Sequence, residues 1–190
     1  YDVPEADDYS VSLVKTGVSG SHLVFDGSDG VVNLGNPPAL QITGDQTIEF
    51  WMRADAIDRR ENPFEKAYGG EGTVTLETNG ILNYFYGSAG GDANSYETNS
   101  SGATLRRNEW THVAVVRDFG GSPNQVRWYF DGKLAQSRDV TISPAVASAK
   151  NFLIGNRRVS GVEHCSQRCR DRSGNVDGAR WRRSWSGRLL

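Results

Sequence analysis

NEWTHVAVVRDFGGSPNQVRWYFDGKL, residues 108–134, contains two strand-like runs, a polar Gly-Pro loop between them and a tight turn after the second. In the first run, 110–117, Trp110, His112, Ala114 and Val116 fall on one face, and Thr111, Val113, Val115 and Arg117 on the other. Both sets carry apolar residues, so both faces are expected to be largely covered. In the second run, 126–130, Val126, Trp128 and Phe130 oppose Arg127 and Tyr129. Asp131-Gly132 then supplies the positive φ that a two-residue hairpin turn requires. A covered strand followed by a hairpin calls for a sheet with a second layer packed on it.

Working outward, other strands follow the same logic. QTIEFWMR, 46–53, alternates Ile48, Phe50 and Met52 against Thr47, Glu49, Trp51 and Arg53. The second set fits either a wet face with one large aromatic or a buried Trp rimmed by polar groups. Residues 73–78 and 81–86 flank Asn79-Gly80, a strong short hairpin signal, and the second arm sets Leu82, Tyr84 and Tyr86 on one face. Shorter strands are expected at 10–15, 21–25, 31–34, 134–142 and 151–154. Residues 54–72 carry scattered charges and read as loop; 87–102 are rich in Gly, Ser and Asn and read as a mobile surface loop. Residues 1–9 are acidic and irregular, a linker or edge segment. Many short strands, frequent turns and no convincing amphipathic helix predict an all-β antiparallel sandwich spanning residues 1–190 as a single domain.

Composition bounds the function. The chain has 190 residues, 22 of them Gly and only six Pro, and a formal net charge of −2. It lacks the roughly 18 consecutive apolar residues of a membrane-spanning helix, so no membrane insertion is expected. The first residue is Tyr1 rather than Met, which suggests a piece of a longer chain or assembly. Residues 157–190 hold nine Arg against Glu163, Asp171 and Asp177, while the remainder is acidic. Such an end suits an acidic polymer or a partner surface on its own fold. Its arginines are scattered with no nucleic-acid fold motif beside them, and no nucleic-acid partner is expected. Cys165 and Cys169 fit a short-loop disulfide of an oxidising compartment, two free thiols, or a zinc site with His164.

The ordered series FDGSDGVVNLG (25–35), QTIEFWMRAD (46–55), FEKAYGG (64–70), NEWTHVAVVRD (108–118), VRWYFDGKL (126–134) and FLIGN (152–156) resembles a laminin-G-like domain. That family belongs to the concanavalin A-like lectin/glucanase jelly rolls. The family's closing strand is resembled by residues 174–181, with Gly178 where the family has an acid. The resemblance implies two stacked, curved antiparallel sheets and an extracellular or surface module that binds glycans or proteins, often with calcium. It also implies that the first and last strands are neighbours. Asp177 would then join Asp26 and Asp29 as oxygen ligands for calcium; the alternative is a solvated acidic turn.

Several groups of residues bear on chemistry. Sugars stack apolar faces on aromatic rings and need planar polar partners. Trp51 with Glu49 and Arg53, Tyr84 and Tyr86 with Asn83, and Tyr96 with Asn94 are the ligand-binding candidates. Trp110 and Phe130 read as core, and core packing is the alternative for Trp51, Tyr84 and Tyr86. Glucanases of the wider fold place paired acids on one strand face, and glycoside cleavage needs them roughly 5–9 Å apart. The spacing Glu-x-Asp-x-x-Glu does not occur, Glu49 stands without such a partner, and His112 reads as scaffold. No Gly-x-Ser-x-Gly or Walker-type run is present. The expectation is a non-catalytic module for carbohydrate recognition or adhesion, supported by calcium. A structural or protein-interaction module decorating a surface assembly, filament or capsid is the alternative, ahead of a polysaccharide-cleaving enzyme.

Overall fold

The computed structural model describes residues 11–16, 20–25, 30–91, 95–155 and 183–189. Among these residues, thirteen strands form two antiparallel sheets, and the sole helical turn is a 3-10 turn at Pro38–Leu40. The first sheet is built from β1 (Val11–Thr16), β2 (Gly20–Phe25), β4 (Gln46–Arg53), β9 (Thr111–Asp118), β10 (Gln125–Phe130), β11 (Lys133–Asp139) and β13 (Arg183–Leu189), in the order β1-β2-β13-β4-β9-β10-β11. The second comprises β3 (Val32–Asn33), β5 (Glu61–Ala67), β6 (Gly72–Leu76), β7 (Ile81–Gly87), β8 (Tyr96–Thr104) and β12 (Leu153–Ile154), in the order β3-β12-β5-β6-β7-β8. The C-terminal strand β13 lies between β2 and β4, with Trp185 opposite Leu23 and Met52, so an early strand and the last one are neighbours. Residues 174–181 lie outside the described residues.

Period-two alternation fills the space between the sheets. Ile48, Phe50 and Met52 of β4, Val113 and Val115 of β9, and Val126 and Trp128 of β10 meet Phe64, Val74, Leu76, Leu82, Tyr84, Tyr86 and Ile154 of the second sheet. Phe50 meets Phe64 edge-on at 5.9 Å, and Phe64 stacks on Phe152 at 5.8 Å. The Trp128 indole donates to the Asn99 carbonyl at 3.1 Å, tying β10 to β8. The Asp131-Gly132 turn has φ of 49° and 75° with Phe130 opposite Lys133, which is the expected two-residue hairpin. Asn79-Gly80 does close a hairpin, but through a longer turn: Gly80 N–H donates to Glu77 O at 2.9 Å and Gly80 alone of the pair has positive φ.

Four expectations are corrected. Residues 61–67, read as loop, form β5; bulges beside Phe64 and Ala67 erase its period-two signal. Residues 96–102, read as part of a mobile loop, belong to β8 (Tyr96–Thr104). Its buried positions are polar, and Ser101 Oγ accepts the Leu82 N–H at 3.1 Å where the ladder register shifts. Trp110 is 39% exposed, packing edge-on against His22 at 5.3 Å, because it shares parity with the outer face of β9. That outer face is covered only at Ala114, while His112 and Val116 remain partly exposed. Phe130 packs against the core as expected.

Buried charges lock the ends of the sandwich. Lys66 and Glu71 pair at 3.1 Å with both side chains buried. Lys66 Nζ also donates to Asn36 Oδ1 and Lys150 O, and Glu71 accepts from Ser148 N and Oγ. Buried Arg117 donates to the carbonyls of Gly44, Glu71 and Ile42 and to the Tyr84 hydroxyl. These contacts satisfy groups that would be costly to bury unpaired.

Candidate functional site

Once Leu82, Tyr84 and Tyr86 of β7 turn inward, Asn83 and Phe85 must face out. Register carries this outer face across the second sheet: Thr75 is opposite Asn83, Thr73 opposite Phe85, Thr98 opposite Phe85, and Tyr96 opposite Gly87. Tyr68 joins the face from just beyond β5. Gly69 fixes its position: Gly69 N–H donates to Gly91 O at 2.9 Å, and Gly69 O accepts from Ala89 and Gly90 at 3.0 and 2.7 Å. Gly87 permits this crossing because a Cβ there would sit 2.8 Å from Gly69 Cα and 2.0 Å from Ser95 O.

The result is a cluster of three rings. Tyr68 and Phe85 lie 5.0 Å apart, Phe85 and Tyr96 5.6 Å, and Tyr68 and Tyr96 6.2 Å. Tyr96 is 37% exposed, whereas Phe85 is buried beneath its neighbours. The Arg60 guanidinium lies 5.4 Å from the Phe85 centroid and 5.9 Å from that of Tyr68, within cation–π range. It pairs with Glu77 at 3.1 Å. Glu77 Oε1 also accepts from Thr75 Oγ1 at 2.6 Å and Asn83 Nδ2 at 3.2 Å. Asn62 Nδ2 donates to Glu65 Oε2 at 2.8 Å and to the Tyr68 hydroxyl at 3.4 Å. Burial raises the Tyr68 phenol above its ordinary pKa, against the lowering pull of Arg60, so the phenol stays a neutral donor. Rings beside planar amides, a carboxylate and a guanidinium are groups that can stack on a sugar's apolar face and bond its hydroxyls.

The structure divides the sequence candidates into three. Asn83 and Tyr96 belong to this cluster's face. Trp51, Glu49 and Arg53 face outward from β4 in the other sheet, where Trp51 is 47% exposed and its ring lies 5.2 Å from His112. The sandwich separates the two groups, so they do not form one site. Tyr84 and Tyr86 are corrected: at 1% and 0% exposure they are core residues and present no face to a ligand. Tyr84 OH accepts from Arg117 at 3.0 Å and lies 2.9 Å from Gln46 Oε1, and Tyr86 OH donates to Ile142 O at 3.0 Å. Burial, the larger effect, raises both phenols while Arg117 opposes it.

Sequence reasoning missed Tyr68, Phe85, Arg60 and Glu77. Parity would have placed Phe85 with Asn83 had Tyr84 been taken as core. Nothing local marks Tyr68 or Arg60, which stood in an apparent loop. Asp26, Asp29, Asp177, Asn94, His164, Cys165 and Cys169 lie outside the described residues. Among the described residues, no group of three or more His, Cys, Asp or Glu is placed to hold a metal ion.

Solved structures share this architecture. The binding domain of Paraclostridial Mosquitocidal Protein 1 matches with a TM-score of 0.67 and 11% identity over 94% of this chain and 41% of that chain. The botulinum neurotoxin serotype D ligand binding domain, in complex with N-acetylneuraminic acid, matches with a TM-score of 0.59 and 13% identity over 96% and 44%. A botulinum neurotoxin type C structure, described by dependence of cell entry on two ganglioside molecules, matches with a TM-score of 0.56 and 11% identity over 95% and 40%. The chain thus spans about two fifths of the length of these proteins, and the likeness is one of fold. No curated protein matches it in sequence. The laminin-G model of the concanavalin A-like lectin/glucanases superfamily matches residues 26–180, most of the chain. With two antiparallel sheets in place and that match across them, the chain belongs to the laminin-G-like family of the concanavalin A-like lectin/glucanases superfamily.

Proposed function

We propose that this chain is a non-catalytic carbohydrate-binding module of a larger extracellular or surface-displayed protein, acting in recognition or adhesion. One observation carries the reading: Tyr68, Phe85 and Tyr96 cluster among Arg60, Glu77, Asn83 and Asn62 on the face of the second sheet turned away from the core. A pyranose ring lays its C–H face on Tyr96, the exposed ring, and its hydroxyls meet Arg60, Glu77 and Asn83. Arg60 covers Phe85 and Tyr68, so the buried Phe85 and half-buried Tyr68 support the site and Tyr96 makes first contact. The solved neighbours lend support, since one holds N-acetylneuraminic acid and another is described with gangliosides. The non-catalytic reading draws on Glu77, whose carboxylate is engaged by Thr75, Asn83 and Arg60.

A glycan array probed with the intact domain tests this, followed by titration of the best ligand. Tyr96→Ala is expected to weaken binding at this site by about tenfold or more, the equivalent of roughly 1.4 kcal/mol. Unchanged affinity in a folded variant overturns the assignment of the site. A protein-interaction or decorating role draws on a different observation, the exposure of Trp110 and Leu134. An array with no glycan bound favours that role. Calcium at Asp26, Asp29 and Asp177 belongs to the proposal on the strength of the sequence.

A further inference from the structure

On the opposite side of the sandwich, Trp51 keeps nearly half its surface in solvent although it sits in the middle of the first sheet, in β4 between β13 and β9. The core does not require an aromatic there, because Ile48, Phe50 and Met52 already supply the buried face of β4. The ring is nevertheless held in place. His112 is its register partner on β9, and the two rings lie 5.2 Å apart at 57°. His112 is fixed in turn: its N–H donates to Asp131 Oδ1 at 3.0 Å, and its carbonyl accepts from Asp131 N–H at 2.8 Å. The left-handed hairpin turn therefore orders the residue on which Trp51 leans.

Polar groups flank the ring. Glu49 and Arg53, two residues to either side, share its face about 7 Å away along the strand. Glu49 Oε2 lies 3.7 Å from His112 Nε2, and both side chains are partly exposed. Opposite Glu49 on β9 stands the small Ala114. An ordered, exposed indole with a carboxylate at one end and a guanidinium at the other matches the two-sided character of a pyranose: a C–H face for the ring and vicinal hydroxyls for the charged groups. Pre-ordering by His112 lowers the entropy lost on binding.

We infer that Trp51, Glu49, Arg53 and His112 form a second hexopyranoside-binding site, on the face opposite the Tyr96 cluster, and that one domain bridges two glycan chains. The inference rests on the reading of the chain as a carbohydrate-binding module but on none of the same residues. Linking of two sites by one rigid body gives avidity on a glycan-coated surface without any new contact.

The test combines an array, a stoichiometry and a bridging assay on the intact domain, using the array's strongest soluble oligosaccharides as probes. Wild type is expected to bind two equivalents, to shift its tryptophan emission on saturation, and to aggregate glycan-coated beads as a monomer. Trp51→Ala is expected to halve the stoichiometry, abolish the emission shift and abolish bead aggregation while leaving Tyr96-dependent binding intact. Glu49→Gln, which keeps the ring and the packing, is expected to weaken only the second site, by about tenfold. If Trp51→Ala leaves stoichiometry, emission and bridging unchanged, or if no glycan depends on Trp51, the second site is wrong. If Tyr96→Ala changes nothing while Trp51→Ala removes all binding, the first site fails and this one is a lone site rather than half of a bridge.

Discussion

Three tyrosines show how one residue type takes different roles within a single sheet. Tyr84 and Tyr86 are sealed in the core, and Tyr68 roofs the outer cluster. Burial raises all three phenols above the ordinary value, ahead of any charge effect. The sign follows from linkage: a group whose pKa is higher folded than unfolded contributes stability in full below the unfolded pKa, about 10, and loses it as pH rises above that. Spectrophotometric titration of phenolate is therefore expected to resolve a late-ionising class of tyrosines, whose ionisation coincides with loss of the folded circular dichroism signal above about pH 10. Ionisation of all seven tyrosines together near the ordinary value, with the fold intact, contradicts the burial of this set. Residue type in the sequence left Tyr84 and Tyr86 open between sugar platform and core, because a Tyr ring serves either side of a sheet; they are core, and their hydroxyls find Arg117 or a carbonyl inside.

Two glycines separate backbone strain from lack of space at the level of the hairpins. Gly132 has φ of 75°, and a Cβ added there would meet nothing within 4 Å, whereas one at Gly87 would lie 2.0 Å from Ser95 O. Gly132→Ala is expected to cost about 1 kcal/mol from backbone strain alone, read by urea denaturation, with the Tyr96 site unaffected. Gly87→Ala must push the crossing at Gly69 away, and is expected both to destabilise by more than Gly132→Ala and to weaken glycan binding, because Tyr68 and Tyr96 meet through that crossing. Equal effects of the two substitutions on binding count against the role given to the crossing. The Asp131-Gly132 hairpin and β4 were legible in sequence, since turn chemistry and period-two alternation are local. Strands β5 and β8 were not: bulges break the period in one, and polar residues occupy buried positions in the other.

Across the whole molecule, the core leaves two outward faces, each bearing aromatic and charged groups, and the covalent chain gives no hint that they are opposed. The placement of β13 between β2 and β4 sets a late strand beside an early one, while the expected closing strand at 174–181 and the calcium candidates Asp26, Asp29 and Asp177 lie outside the described residues. Millimolar calcium is expected to raise the melting temperature and EDTA to reverse the rise, by about 2.7 kcal/mol of linkage where calcium stands at a hundredfold its Kd. Identical melting curves in both remove calcium from the account. By itself the sequence determined the family, the all-β sandwich and the central hairpin, because ordered motifs, turn residues and alternation act over a few neighbouring positions. The tertiary structure alone decided which side of each alternation faces the second layer, and so that Tyr84 and Tyr86 are core while Phe85 lies on the outer face. It also decided that Tyr68 and Arg60 join Tyr96, and that Trp51 stands apart from them. Those outcomes depend on which strands pair and which sheets stack, and packing of residues far apart in the chain settles both.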